Sequence, residues 1–171
     1  MEDLTPARRD LLIGGLMTAM MASLAGEASG SPLNPEQTII IPKAKIPWAP
    51  NPAYPAGCQD NCVLVGDINK PGLYLTLIRW YPGFMSAPHT YVTDRICMVL
   101  SGDWYCNSGP DFDPAMTVPV PAGSFVRRVA GTPHYDGVPS GKPQPCEVAV
   151  FGMGPVQYKL TDPTKPGWRA A

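Results

Sequence analysis

GFMSAPHTYVTDRICMVLSG, residues 83–102, spaces its polar groups at set intervals between two glycines. Five residues separate Gly83 from His89, one separates His89 from Tyr91, three separate Tyr91 from Arg95, and six separate Arg95 from Gly102. Read as strands interrupted by a turn, the alternation of extended backbone puts His89, Tyr91, Arg95 and Cys97 on one face. Pro82-Gly83 closes the strand before this stretch, and Gly102 closes its last strand.

Working outward, residues 103–122 read as a hairpin that turns at Ser108-Gly109-Pro110-Asp111. A second spaced group follows it: Gly123, Val129, Gly131, His134 and Val138. His89 and His134 are the only two histidines in the protein. On this reading His134 arrives from a strand facing that of His89. Upstream, residues 62–65 and 72–81 read as strands joined by the turn at 67–72. Leu73, Leu75 and Leu77 alternate there with Tyr74, Thr76 and Ile78, so both faces are partly apolar. Further strands are predicted at 88–92, 95–100, 103–107, 117–120, 124–129, 133–135, 147–152 and 156–160. No helical period interrupts them, so the fold class is all-β, a barrel or sandwich.

The two spaced groups resemble the motifs of the cupin family, whose domain is a double-stranded β-helix, a jelly-roll-like barrel with a metal site in its mouth. The family's first motif runs G, five residues, H-x-H, three or four residues, E, six residues, G. The second runs G, five residues, P-x-G, two residues, H, three residues, N. Both spacings are kept without a gap, and the resemblance covers residues 61–160. Of the family's three His and one Glu, this chain keeps His89 and His134; Tyr91 and Arg95 stand at the other two positions. The resemblance implies a transition metal held by His89 and His134, with Tyr91 as a third ligand or general acid. Phenolate ligation would favour iron or copper. Arg95, a fixed cation where the family has Glu, opposes a divalent ion and is suited to orienting an anionic substrate. Its plain alternative is a salt bridge with Asp94, Asp103 or Asp136.

The rest of the chain bounds these readings. The 171 residues carry a formal net charge of −1, which is not the footprint of a nucleic-acid binder. Residues 1–28 read as an export signal of the twin-arginine kind: Arg8 and Arg9 precede an apolar run from Leu11 to Leu24, too short to span a bilayer. The mature protein is then expected in the periplasm or outside the cell, without a stable membrane span. Residues 29–60 form a proline-rich extended arm that lies along a sheet or a second subunit, with Trp48 and Tyr54 as packing anchors; a homodimer is expected. Residues 161–171 read as a loose tail. Five cysteines in an exported chain invite disulfides, with Cys58–Cys62 and Cys106–Cys146 as the plausible pairs. Cys97, on the inward face, is core, a sulfur ligand or a nucleophile. Trp80, Trp104, Tyr105, Phe125 and Tyr135 are mostly core, one or two of them lining a pocket.

Three functions fit: a metal-assisted small-molecule enzyme of oxygenase, lyase or isomerase type; a metal-independent isomerase with a His/Tyr acid–base pair; and a non-catalytic small-ligand-binding module.

Overall fold

The computed structural model describes residues 38–171. The leader, residues 1–28, and the start of the arm lie outside the described residues. The chain divides into two units, residues 1–44 and 45–171. In the first, residues 38–42 carry no regular structure and residues 39–41 are exposed.

The second unit is built of short antiparallel strands: β1 (Ala49–Pro50), β2 (Gln59–Val65), β3 (Gly72–Trp80), β4 (Phe84–Ser86), β5 (His89–Tyr91), β6 (Arg95–Ser101), β7 (Asp103–Ser108), β8 (Val118–Pro121), β9 (Phe125–Arg128), β10 (His134–Val138), β11 (Cys146–Gly154), β12 (Tyr158–Leu160) and β13 (Trp168–Ala170). One sheet has the order β1-β2-β3-β11-β6-β9. The other has β12-β5-β10-β4-β13, with β7 also on β10 and β8 on β7. Chain neighbours therefore often sit in different sheets, and the chain crosses between sheets in winding the barrel. Among the described residues no helix is long and apolar enough to cross a membrane.

Alternation decides which side chains meet inside. Along β6, Cys97 and Val99 are buried while Ile96 and Leu100 are exposed on the other face. Along β11, Cys146, Val148 and Val150 join them, and Trp80, Trp104 and Val138 complete the cluster between the sheets. Burying each large apolar side chain there contributes about 1.5–3 kcal/mol. A second, smaller cluster lies apart from it, where Cys62, Leu77 and Ala149 are covered by Ile46 and Trp48.

Three sequence readings need correction. All five cysteines are buried free thiols, so neither Cys58–Cys62 nor Cys106–Cys146 is a disulfide. Cys58, Cys97, Cys106 and Cys146 instead fill the main cluster as small apolar groups, and Cys62 fills the other. The segment 161–171 is not a loose end: β13 pairs with β4, Trp168 opposite Ser86 and Ala170 opposite Phe84. Finally, β10 is not across the barrel from β5 but hydrogen-bonded beside it, His134 directly opposite His89.

Candidate functional site

Because β5 and β10 pair in that register, the two imidazoles lie side by side, ring centroids 4.4 Å apart. Both are buried, His89 with 4 % and His134 with 3 % of its surface exposed. Each ring is fixed by its own chain two residues back: Nδ1 of His89 donates to the Ala87 carbonyl at 2.8 Å, and Nδ1 of His134 to that of Thr132 at 3.0 Å. With Nδ1–H committed, the neutral tautomer leaves the lone pair on Nε2 of both rings. Burial, then the charge of His134, lowers the His89 pKa to about 4. His134 is lowered too, chiefly by burial. Both imidazoles are neutral at pH 7.

Tyr91, two residues along β5 from His89, meets its ring edge to face at 4.9 Å. From β6 in the other sheet, the Arg95 guanidinium lies 4.1 Å over the centre of the Tyr91 ring. Tyr158 of β12, opposite Tyr91 in register, brings its ring to 4.8 Å from His89. Burial raises the phenol pKa of Tyr91, with Arg95 opposing but not reversing the shift, so the hydroxyl keeps its proton.

None of the expected salt bridges of Arg95 forms. Asp94 is taken by Arg127, 2.7 Å from its Nε, and by the Ala130 amide at 2.8 Å. Asp136 is taken by Arg128 at 3.2 Å. Asp103 is exposed on β7. Among the described residues Arg95 has no carboxylate partner, and its Nε is buried with no acceptor.

All of these groups line one cavity of about 280 Å³. The structure thus gathers His89, His134, Tyr91 and Arg95 as the spacing predicts, and Cys97 with them. Burial pushes the Cys97 thiol up to about 11, which makes it core rather than nucleophile. Of the aromatic candidates, Trp80 and Trp104 line the cavity, whereas Phe125 is 60 % exposed. Tyr54 corrects another reading: it packs edge to face on Trp80 at 5.7 Å and lines the cavity, so it is a site residue as well as an anchor.

Asp136, suggested by the sequence only as one possible partner of Arg95, is a site residue held by other groups. Its carboxylate accepts from Trp104 Nε1 and from Arg128 Nη2, each at 3.2 Å, and its amide donates to Ser86 Oγ at 3.0 Å. The signal was present in the two-residue step from His134, which puts Asp136 on the same face of β10. Tyr54 and Tyr158 gave no such signal, being outside both spaced groups.

The donor set can be tested against the metal that the resemblance implies. Among the described residues no group of three or more His, Cys, Asp or Glu is arranged to hold an ion. His89 and His134 offer two nitrogens, and Asp136 is engaged by Arg128 and Trp104. Tyr91 would add a third donor only as the phenolate, which its burial opposes. Arg95 sets a fixed positive charge against the same ring. These residues do not by themselves make a resident metal site, and no step below is routed through one.

The fold is that of the cupins. A DMSP lyase, DddQ from Ruegeria pomeroyi, superposes with a TM-score of 0.55 at 16 % identity over 71 % of this chain, which spans 64 % of DddQ's length. An RmlC-like cupin from Ralstonia eutropha gives a TM-score of 0.54 at 19 % identity over 71 % of each chain. At these identities the likeness establishes the fold. No family model and no curated protein matches the sequence.

Proposed function

We propose that the protein is a small-molecule acid–base enzyme working in the barrel mouth, with the His89/His134 pair as base, Tyr91 as acid and Arg95 orienting an anionic group. The observation that carries this reading is the pair of neutral imidazoles, both held by backbone carbonyls at Nδ1, on the same cavity as a protonated phenol and a guanidinium without a carboxylate partner. An imidazole Nε2 takes a proton from carbon beside a carbonyl. The electron pair moves to the carbonyl oxygen, where Arg95 and the Tyr91 hydroxyl stabilise it. Return of the proton, to the same or a neighbouring carbon, completes an isomerisation. An imidazole of low pKa is a weak base in the empty site, but a bound anion favours its protonated form and raises its pKa toward the working range.

Deuterium uptake from D2O tests this, with pyruvate and phenylpyruvate followed by proton NMR. Exchange above the uncatalysed rate is expected, surviving removal of metal by a chelator and falling at least 100-fold in His134→Gln. Metal analysis of the native protein runs beside it. Stoichiometric iron or copper, lost in His89→Ala and required for exchange, would return the site to metal-assisted chemistry. Binding without exchange would make the protein a ligand-binding cupin. Two further proposals stand with this one. Residues 1–28 act as an export signal, checked by N-terminal sequencing of protein from the cell envelope. The mature chain assembles as a homodimer, checked by its native mass.

A further inference from the structure

The walls of the 280 Å³ cavity carry an unbalanced charge. Its charged side chains are Arg95, Arg128 and Asp136, and the two imidazoles add nothing at pH 7. Arg128 and Asp136 neutralise each other at 3.2 Å in a geometry shared with Trp104, leaving one guanidinium over. That guanidinium, Arg95, lies against Tyr91, Tyr74 and Cys97, hydrogen-bonds the Tyr74 side chain and, like Arg128, keeps a buried Nε–H without an acceptor; unlike Arg128 it has no carboxylate beside it. Leaving a half-buried charge without a counter-ion is costly, and the guanidinium donors that Tyr74 does not take match a carboxylate.

The remaining walls restrict the body of such an anion. Tyr54, Trp80, Trp104, Tyr91 and Tyr158 supply ring surface from five different places in the chain, and Val148 and Val150 supply aliphatic surface, with neutral polar groups such as Gln59 and Thr76 between them. Aromatic faces and edges reward a flat π-bearing ligand beyond the area it buries. The volume lies just below the range of about 300–1,000 Å³ that takes drug-sized ligands, which suits a single ring rather than a fused polycycle.

We infer that the cavity selects monoanionic carboxylates carrying one flat, unsaturated or aromatic ring, with Arg95 on the carboxylate and the tyrosine and tryptophan rings on the body. This deepens the acid–base reading and rests on it for catalysis, though not for binding.

Calorimetric or NMR titration of the wild-type protein with four probes tests it: benzoate, benzamide, cyclohexanecarboxylate and phthalate. Benzoate is expected to bind at least tenfold more tightly than neutral benzamide, than saturated cyclohexanecarboxylate and than dianionic phthalate. Arg95→Gln should erase the preference for benzoate over benzamide, and Arg95→Lys should restore part of it. Equal affinity for benzoate and benzamide in the wild-type protein would overturn the charge assignment, whether or not the variants fold. Equal affinity for benzoate and cyclohexanecarboxylate would overturn the ring assignment. If pyruvate exchanges its protons while benzoate shows no preference, the ligand class falls and the acid–base reading stands. If benzoate binds through Arg95 and no keto acid exchanges, the reverse holds.

Discussion

His89 shows how a single residue ties the site to the stability of the fold. Its pKa falls from the ordinary value near 6.5 in the unfolded chain to about 4 in the barrel, by burial first and His134 second. Between those values the unfolded chain binds a proton that the native protein refuses. Stability is therefore complete above pH 6.5 and is lost as the pH falls toward 4, by up to about 3 kcal/mol at 1.36 kcal/mol per unit. Urea melts at pH 7, 5.5 and 4.5 should show this slope, and His89→Gln should reduce it, leaving the part that His134, also lowered by burial, contributes. The motif glycines separate at the same scale. Gly83 and Gly102 both have positive φ, 95° and 67°. A Cβ at Gly83 meets open space, whereas one at Gly102 would collide with the Pro145 carbonyl oxygen. Gly83→Ala is expected to cost about 1–2 kcal/mol of left-handed strain, and Gly102→Ala clearly more, as read from urea midpoints. Spacing alone makes the two equivalent; the chain passing at Pro145 does not.

At the scale of elements, the sequence reading located the long strands and also the three-residue β5 and β12, inside the segments 88–92 and 156–160, but missed β1, β4 and β13. The residues predicted at 72–81 and 147–152 appear as β3 and β11, which pair along their whole length from Cys146 opposite Trp80 to Gly154 opposite Gly72. β4 and β13 have three residues each, too few to show a period. They exist because they find each other. The pairing is reinforced by Trp168 against Phe84, 6.0 Å between ring centres, and by the Ala171 amide donating to the Gly83 carbonyl at 3.0 Å. Since β4 also carries Ser86, which holds the Asp136 amide, the C-terminal strand braces the site. Trp168→Ala is expected to lower stability by about 1–3 kcal/mol. A chain ending at Pro166 should lose more, both measurable as shifts of the urea midpoint.

Over the whole molecule the cysteines report how well the barrel is closed. All five are buried and unpaired, and burial pushes Cys58 up to about 12 and raises the other four. Ellman's reagent at pH 7.5 is expected to find no fast-reacting thiol in the native protein and five after unfolding in guanidinium. A reactive pair missing from the unfolded count would reveal a disulfide. The same packing explains what could be read in advance. Period-two patterning and glycine-punctuated spacing are local properties of an extended chain; they determined the all-β class and the shared face of His89, Tyr91 and Arg95, while the barrel and the place of His134 in the group were implied by the resemblance to the cupin motifs. Only the tertiary structure decided that His134 lies beside His89, that Asp136 is claimed by Arg128 so that Arg95 is left without a carboxylate partner, and that Tyr54 and Tyr158 join the site. Those outcomes depend on which strands become neighbours, and on competition among charges distant in sequence, neither of which any local pattern encodes.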